Sequence, residues 1–307
     1  MRVLGFPGQG AQHTGMGADL FARYPRLVAR ADTLLGYSVA GLCQAEAAVL
    51  ARTEHSQVAL YVVGALGYRR FLDDGGDPPD VVVGHSVGEY AALYAAGVVD
   101  FETGLRLVAH RGQLMAGADG GAMAALLGPD LGEVERLLAA HGLDALDVAL
   151  HNAPGQHAVA GPAAEIDRLV DLAAAADVRC VRLNVSGPFH SRYMAPAATR
   201  FAGFLVGAHF RDPRVEVVAN ASAAPLAAGA DAAGLLVEQM VSPVRWRQSI
   251  ELLLDRAGPD GLDFTEIGPG TTLTGLVRRI VRAAAVPAAP AVPVPRARPP
   301  HESGVTL

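Results

Sequence analysis

Residues 81–90 read VVVGHSVGEY. Three β-branched residues open the stretch, Gly84-His85-Ser86-Val87-Gly88 follows, and a helix-favouring segment comes next. Glycines flanking a serine between a strand and a helix describe a turn too tight for a Cβ at both neighbours. Such a turn holds the serine hydroxyl out at its apex. The backbone N–H of Val87 then points to where an oxyanion would develop on a carbonyl attacked by Ser86, beside a helix N-terminus. A G-x-S-x-G string recurs by chance in a chain with 35 glycines. The strand before it and the helix after it give this one its weight.

The neighbouring segments extend the pattern. Residues 3–6 read as a short buried strand followed by a glycine-rich loop, 7–17. Helical spacing appears at 19–35 and 56–72, continues past the turn at 91–96, and returns at 101–115. Strands alternating with helices imply an α/β core with a parallel sheet. The middle changes character: strand 121–127, helix 131–140, strands 147–152 and 157–160, helix 163–176, strand 179–184. This β-α-β-β-α-β order is ferredoxin-like. It predicts a small domain, 121–185, inserted into a core made of 1–120 and 186–282. That core resumes with a strand at 215–220, a helix near 234–241 and a strand at 264–266 before Gly268-Pro269-Gly270. Residues 283–307 are mostly Ala, Pro, Val and Arg at first, which predicts an extended, solvated tail.

Composition excludes several classes. With 307 residues, 51% of them hydrophobic and 18% charged, the chain can bury a full core. No apolar run reaches the roughly 18 residues that span a bilayer. The start, MRVLGFPGQG, lacks the layout of a signal peptide. A cytoplasmic location with no membrane partner is therefore expected. Cys43 and Cys180 have no metal-ligand spacing and form no framework, so neither a metal site nor a disulfide is expected. A net charge of −6 argues against nucleic acid as a partner. All 25 strong cations are arginines, in keeping with a chain rich in Ala, Gly, Arg and Pro.

A serine nucleophile needs a base, and the sequence offers ten histidines. His190, in SGPFHSRYM (186–194), follows a predicted strand end and a Gly-Pro turn, where side chains project into clefts. A neutral imidazole there would take the Ser86 proton during attack and return it to the leaving group.

With these residues in place the chain resembles malonyl-CoA:acyl carrier protein transacylases and the related acyltransferases of polyketide synthases. Eight motifs carry the resemblance: FPGQG (6–10), SQ (56–57), GHSVGEY (84–90), HRG (110–112), NAPGQHAVAG (152–161), GPFHS (187–191), PVRW (243–246) and EIGPG (266–270). They occur in the family's order at near-family spacing from residue 3 to about 282. The resemblance implies an α/β-hydrolase-like core with an inserted ferredoxin-like subdomain. It makes Ser86 the nucleophile and His190 its base, with Gln9 and the Val87 N–H as the oxyanion hole. A backbone carbonyl, here that of Gln239, stands in for the third triad member. Gln57 and Asn152 match supporting positions in the cleft.

Arg111 matches the arginine that holds the malonyl carboxylate, and a planar guanidinium suits that bidentate task. Phe189, just before the base, accompanies malonyl selection in polyketide synthases, and its ring would crowd an α-methyl group. The resemblance further implies malonyl-CoA as donor and the phosphopantetheine thiol of an acyl carrier protein as acceptor. It implies no bound cofactor, a monomer, and a role in polyketide or fatty acid biosynthesis. Phe189 favours a stand-alone enzyme serving polyketide synthase modules. Arg278, Arg279 and Arg245 are candidates for docking an acidic carrier protein. A serine thioesterase or hydrolase would share Ser86 and His190 without needing Arg111. A shuttle between two carrier proteins would be expected to lack that arginine, and the acyltransferase component of a malonate decarboxylase would keep it.

Overall fold

The computed structural model describes residues 1–285. Its strands, in chain order, are β1 (Arg2–Phe6), β2 (Val81–Gly84), β3 (Gly121–Leu127), β4 (Asp147–Ala153), β5 (Gln156–Pro162), β6 (Arg179–Arg182), β7 (Glu216–Ala219), β8 (Ala224–Pro225) and β9 (Asp263–Glu266). Five of them form one sheet in the order β8-β7-β2-β1-β9. β1, β2, β7 and β9 run parallel, and β8 closes one edge as an antiparallel strand. The apolar runs of β1 and β2 are covered on both faces, as central parallel strands require. The helix Thr53–Asp73 lies against this sheet and is buried along most of its length. Beside it runs Phe101–Ala116, whose first turn is capped by Asp100 accepting the Thr103 N–H at 2.8 Å.

The turn after β2 is built as its glycines demand. A Cβ on Gly84 would lie 2.1 Å from the Gly88 carbonyl carbon, and one on Gly88 would lie 2.0 Å from the Phe6 oxygen. Backbone thus passes against backbone at both positions. Ser86 between them adopts φ 52°, a left-handed conformation that serine visits only where the surroundings enforce it. The turn opens at the carboxyl ends of the parallel strands, where α/β sheets place their ligands.

β3 to β6 form a second sheet, order β4-β5-β3-β6, with every pairing antiparallel. Helices Leu131–Ala140 and Ala163–Ala175 cover one face, and the order is that of the ferredoxin-like fold. This unit has its own core, including Leu126, Val134, Val159, Ile166 and Leu169. The molecule is therefore an α/β-hydrolase-like core carrying a ferredoxin-like subdomain. The two parts are joined by more than their connections: Val244 donates to Ala149 O at 2.9 Å, and His151 donates to Val244 O at 3.0 Å.

Some elements depart from the sequence expectation. The helical spacing at 19–35 resolves into two helices, Ala18–Arg23 and Pro25–Leu35. Pro25 disfavours the helical region for the residue before it, and Tyr24 sits at φ −120°, ψ 53°. Ala195–Leu205 and Trp246–Ala257 are further helices beyond those expected. The last helix, Thr272–Ala284, takes two alanines from the segment expected to be tail, in keeping with alanine's helix propensity. The remainder of that tail lies outside the described residues.

Gly88→Ala is expected to cost at least the ~1–3 kcal/mol typical of overpacking, because the obstacle is backbone. A thermal melt should show a midpoint several degrees lower, or the variant should fail to accumulate as soluble protein.

Candidate active site

Ser86 Oγ lies 2.7 Å from His190 Nε2. His190 Nδ1–H donates to the Gln239 main-chain carbonyl at 2.8 Å. That bond leaves Nε2 with its lone pair toward the serine, the arrangement a general base needs. His190 lies on the return from the inserted subdomain to the core, 3% exposed, and like Ser86 it is left-handed, at φ 59°. Burial, reinforced by the nearby Arg111 charge, pulls its pKa down to about 3. The imidazole is thus neutral and ready to accept a proton throughout the ordinary pH range.

Asn220 holds the turn from behind. Its Oδ1 accepts the Ser86 N–H at 2.7 Å, and its Nδ2 donates to Gly84 O at 2.6 Å. Val87 and Gln9 line the same cavity as Ser86. Among the described residues, the backbone N–H groups of both lack a hydrogen-bond acceptor. Free donors beside a nucleophile are what a developing oxyanion requires. Gln9 is steadied by its Nε2, which donates to Thr53 Oγ1 at 3.4 Å.

Arg111, on the helix Phe101–Ala116, is fully buried. Its Nη1 donates to Gln57 Oε1 at 2.6 Å, and its Nη2 donates to Gln239 Oε1 at 2.8 Å and to Ser86 Oγ at 3.2 Å. The guanidinium stacks 5.5 Å from the Tyr90 ring centroid. It makes no ion pair with a described carboxylate, and its Nε has no hydrogen-bond partner there. Burial pulls its pKa below the usual arginine value, the mark of a cation held without a contacting anion.

The cavity enclosed by these groups is small, about 80 Å³. Phe189, Leu183, Val185, Met115, Met123 and Leu150 form its apolar walls. Asn152 does not line it; its Oδ1 lies 2.8 Å from His85 Nε2 and so braces the residue before Ser86. A larger depression of about 590 Å³ lies elsewhere, between residues such as Met16, Arg70 and Pro269, and holds none of this chemistry. Of the proposed docking arginines, Arg245 sits beside Asn220, donating its N–H to Asn220 O at 3.1 Å. Arg278 and Arg279 lie exposed on the last helix, outside the cavity wall.

Residues 4–306 match the family model for the acyl transferase domain. This chain belongs to that family. The acyl transferase is 43% identical over 278 residues to the polyketide biosynthesis malonyl CoA-acyl carrier protein transacylase BaeC of Bacillus velezensis, covering 90% of this chain and 95% of that one. It is 44% identical over 278 residues to the polyketide biosynthesis protein PksE of Bacillus subtilis, of which it spans only 36%. A crystal structure of the malonyl CoA-acyl carrier protein transacylase from Burkholderia pseudomallei superimposes with a TM-score of 0.90 at 45% identity. That match covers 94% of this chain and 99% of the other.

Two residues of this acyl transferase stand in the site without having been singled out from sequence. Asn220 directly follows β7, where its role depends on a turn 134 residues away. Glu89 lies inside GHSVGEY and is only 2% exposed, its Oε2 accepting from Gln239 Nε2 at 2.6 Å. Their signals were a polar residue at a strand end and an acid one position after Gly88.

Two further histidines, His151 and His157, lie where β4 and β5 meet the core, and burial pulls His157 down to about 4. These and His190 are neutral when folded but bind protons below about pH 6.5 when unfolded, so their contribution to stability falls as pH drops from there toward 4. Glu89, pushed up by burial to about 7, works the other way between 4.5 and 7 and offsets part of this. A lower melting temperature at pH 5 than at pH 7 is expected. Acylation of Ser86 from acetyl-CoA, followed in the same range where the protein remains folded, should show no acid limb near 6.5 from His190.

Proposed function

We propose that this protein moves a malonyl group from malonyl-CoA to the phosphopantetheine thiol of an acyl carrier protein, by way of an ester on Ser86. The observation that carries this reading is Arg111. It is a fully buried guanidinium 3.2 Å from the nucleophile, with no carboxylate in contact. A buried guanidinium with no carboxylate in contact is costly, so the site favours an acyl group that brings its own anion. The names of the relatives, malonyl CoA-acyl carrier protein transacylases of similar length, support the same donor and acceptor.

The steps follow from the contacts. Malonyl-CoA enters with its carboxylate on Arg111, which exchanges its bond to Ser86 Oγ for the substrate. Ser86 passes its proton to His190 Nε2 as Oγ bonds to the thioester carbonyl carbon. The oxyanion takes the free N–H groups of Gln9 and Val87, each such donor being worth about 10²–10³ in rate. Collapse breaks the C–S bond, and the CoA thiolate leaves with the proton from His190. In the second half the carrier thiol gives its proton to His190 and attacks the ester. Ser86 departs and recovers that proton. Protein groups supply every acid, base and donor in this sequence, so no bound cofactor is called for.

Gln57 supports Arg111, and Asn152 supports His85. A cavity of about 80 Å³ holds a group the size of roughly two or three waters. That suits a three-carbon acyl group and disfavours a long acyl chain shuttled between carriers. The Phe189 ring, 4% exposed in its wall, crowds an α-methyl substituent, a discrimination worth about 1–3 kcal/mol. A hydrolase would use the same Ser86–His190 pair but would leave Arg111 without a task. We place the reaction in the cytoplasm, which the free thiols of Cys43 and Cys180 support. Among the described residues no helix is long and apolar enough to cross a membrane. We assign the enzyme to polyketide biosynthesis, on the relatives' names and on Phe189.

Intact mass after brief mixing with malonyl-CoA should show a malonyl adduct on the wild type and none on Ser86→Ala. Free malonate and CoA without an adduct would mean a hydrolase instead. Arg111→Ala should lower malonyl loading about a hundredfold while acetyl loading falls less or rises.

Docking on the arginines is tested separately. Charge reversal at Arg278 and Arg279 is expected to raise the KM for the carrier protein and leave loading from malonyl-CoA unchanged. Unaltered carrier kinetics would remove this face from the interface.

A further inference from the structure

Glu89 takes no part in the steps above, yet it is among the most deeply buried charged groups of the molecule. It occupies the first turn of the helix Gly88–Ala95 and is 2% exposed. An acid at that helical position usually faces water, where it complements the helix dipole. Here Oε2 accepts from Gln239 Nε2 at 2.6 Å and from the Asn220 N–H at 3.2 Å.

Gln239 is the hub between this carboxylate and the chemistry. Its side-chain Oε1 accepts from Arg111 Nη2 at 2.8 Å, and its Nε2 also donates to Ser86 O at 3.1 Å. Its main-chain carbonyl receives the His190 Nδ1–H. A primary amide has two ends of nearly equal shape and opposite hydrogen-bonding character. Turned over, Gln239 would set its N–H groups against the guanidinium and its carbonyl against the carboxylate, two repulsions in a dry site. Arg111 on one side and Glu89 on the other therefore fix which way the amide points.

We propose that Glu89 is a positioning residue that acts through the Gln239 side chain, holding Arg111 in reach of the acyl carboxylate and so setting the preference for acyl groups that carry one. This rests on the reading of Arg111 as the carboxylate clamp. The intervening amide is essential to the design. A glutamate in direct contact with Arg111 would occupy the fork in bidentate fashion and leave nothing for the substrate. One amide removed, Glu89 supplies a counter-charge and an anchor while part of the guanidinium stays open toward Ser86. The cost of keeping this carboxylate dry shows in its pKa, pushed up to about 7 by burial, with Arg111, Gln239 and the Asn220 N–H opposing the shift. Gln57 and Ser86 Oγ on Arg111, the Tyr90 ring beside it and the neutral His190 nearby are the other polar and charged groups around the pair.

The test compares loading of Ser86 from malonyl-CoA and from acetyl-CoA by rapid-quench intact mass, in the wild type, Glu89→Gln, Gln239→Met and the double variant. Glu89→Gln should lower kcat/KM for malonyl-CoA by about tenfold, chiefly through KM, with acetyl-CoA affected far less. Gln239→Met keeps the main-chain carbonyl for His190 and should give the same change in the malonyl-to-acetyl ratio. The double variant should be no worse than Gln239→Met alone, because both changes break one linkage. Between pH 6 and 8 the wild-type ratio should rise as Glu89 ionises, and in Glu89→Gln it should stay flat.

Equal losses with both donors would reduce Glu89 to a structural role and overturn the proposal. So would an unchanged ratio, or one that rose because a negative charge had been removed. Should Glu89→Gln fail to fold, Gln239→Met carries the same ratio prediction alone. A wild type that forms no malonyl adduct would overturn the clamp reading and this inference together. A wild-type adduct with an unmoved ratio would overturn this inference only.

Discussion

The close passage of the elbow backbone against β1 is the constraint on which the site depends. Gly88 packs so tightly on Phe6 O that no Cβ fits, and Gly84 packs equally tightly on Gly88. This contact pins the start of the elbow helix to the central strands. It lifts Ser86 above the sheet and directs the Val87 N–H to the same side. Asn220 then clips the turn to β7, bonding both Ser86 N–H and Gly84 O. The left-handed backbone at Ser86 is maintained by these neighbours, since serine has no intrinsic reason to adopt it. Nucleophile, oxyanion donors and strand ends are thus positioned by one packing event.

Around that scaffold the site gathers opposite charges without letting them touch. Arg111 and Glu89 are both withdrawn from water, and the amide of Gln239 stands between them. The base beside them is kept neutral by the same dry surroundings, with Arg111 adding to the effect. A single low-dielectric environment therefore does two jobs. It holds His190 as a free base, and it strengthens the pull of Arg111 on an arriving anion.

The core fold and most of the cleft were legible in the amino-acid sequence because their signals are local. Gly84 and Gly88 about Ser86 report a tight turn, and the alternation from 121 to 182 reports a four-stranded unit with two helices. Ser86, His190 and Arg111 stand together as the motifs lead one to expect. What was not legible depends on distant partners. Glu89 in a helix's first turn is compatible with solvent or interior, and what puts it inside is Asn220 and Gln239, 131 and 150 residues further on. Asn152, expected in the cleft, is drawn away by His85 across 67 residues. The break at Tyr24-Pro25 was readable in principle from the proline alone, yet helical spacing continues on both sides and masks it.

The backbone bonds through Val244 tie the edge of the inserted sheet to the core. The apolar wall of the acyl cavity comes partly from that insert, through Met123 and Leu150, and partly from the return segment that carries Phe189 and His190. The pocket is consequently a gap between two stitched bodies, and its width is a property of their joint. A gap of fixed width sorts acyl groups by steric exclusion, with losses that grow as each added atom is squeezed. Changing which chain lengths are accepted is then a matter of re-tailoring the seam, and the elbow can stay as it is.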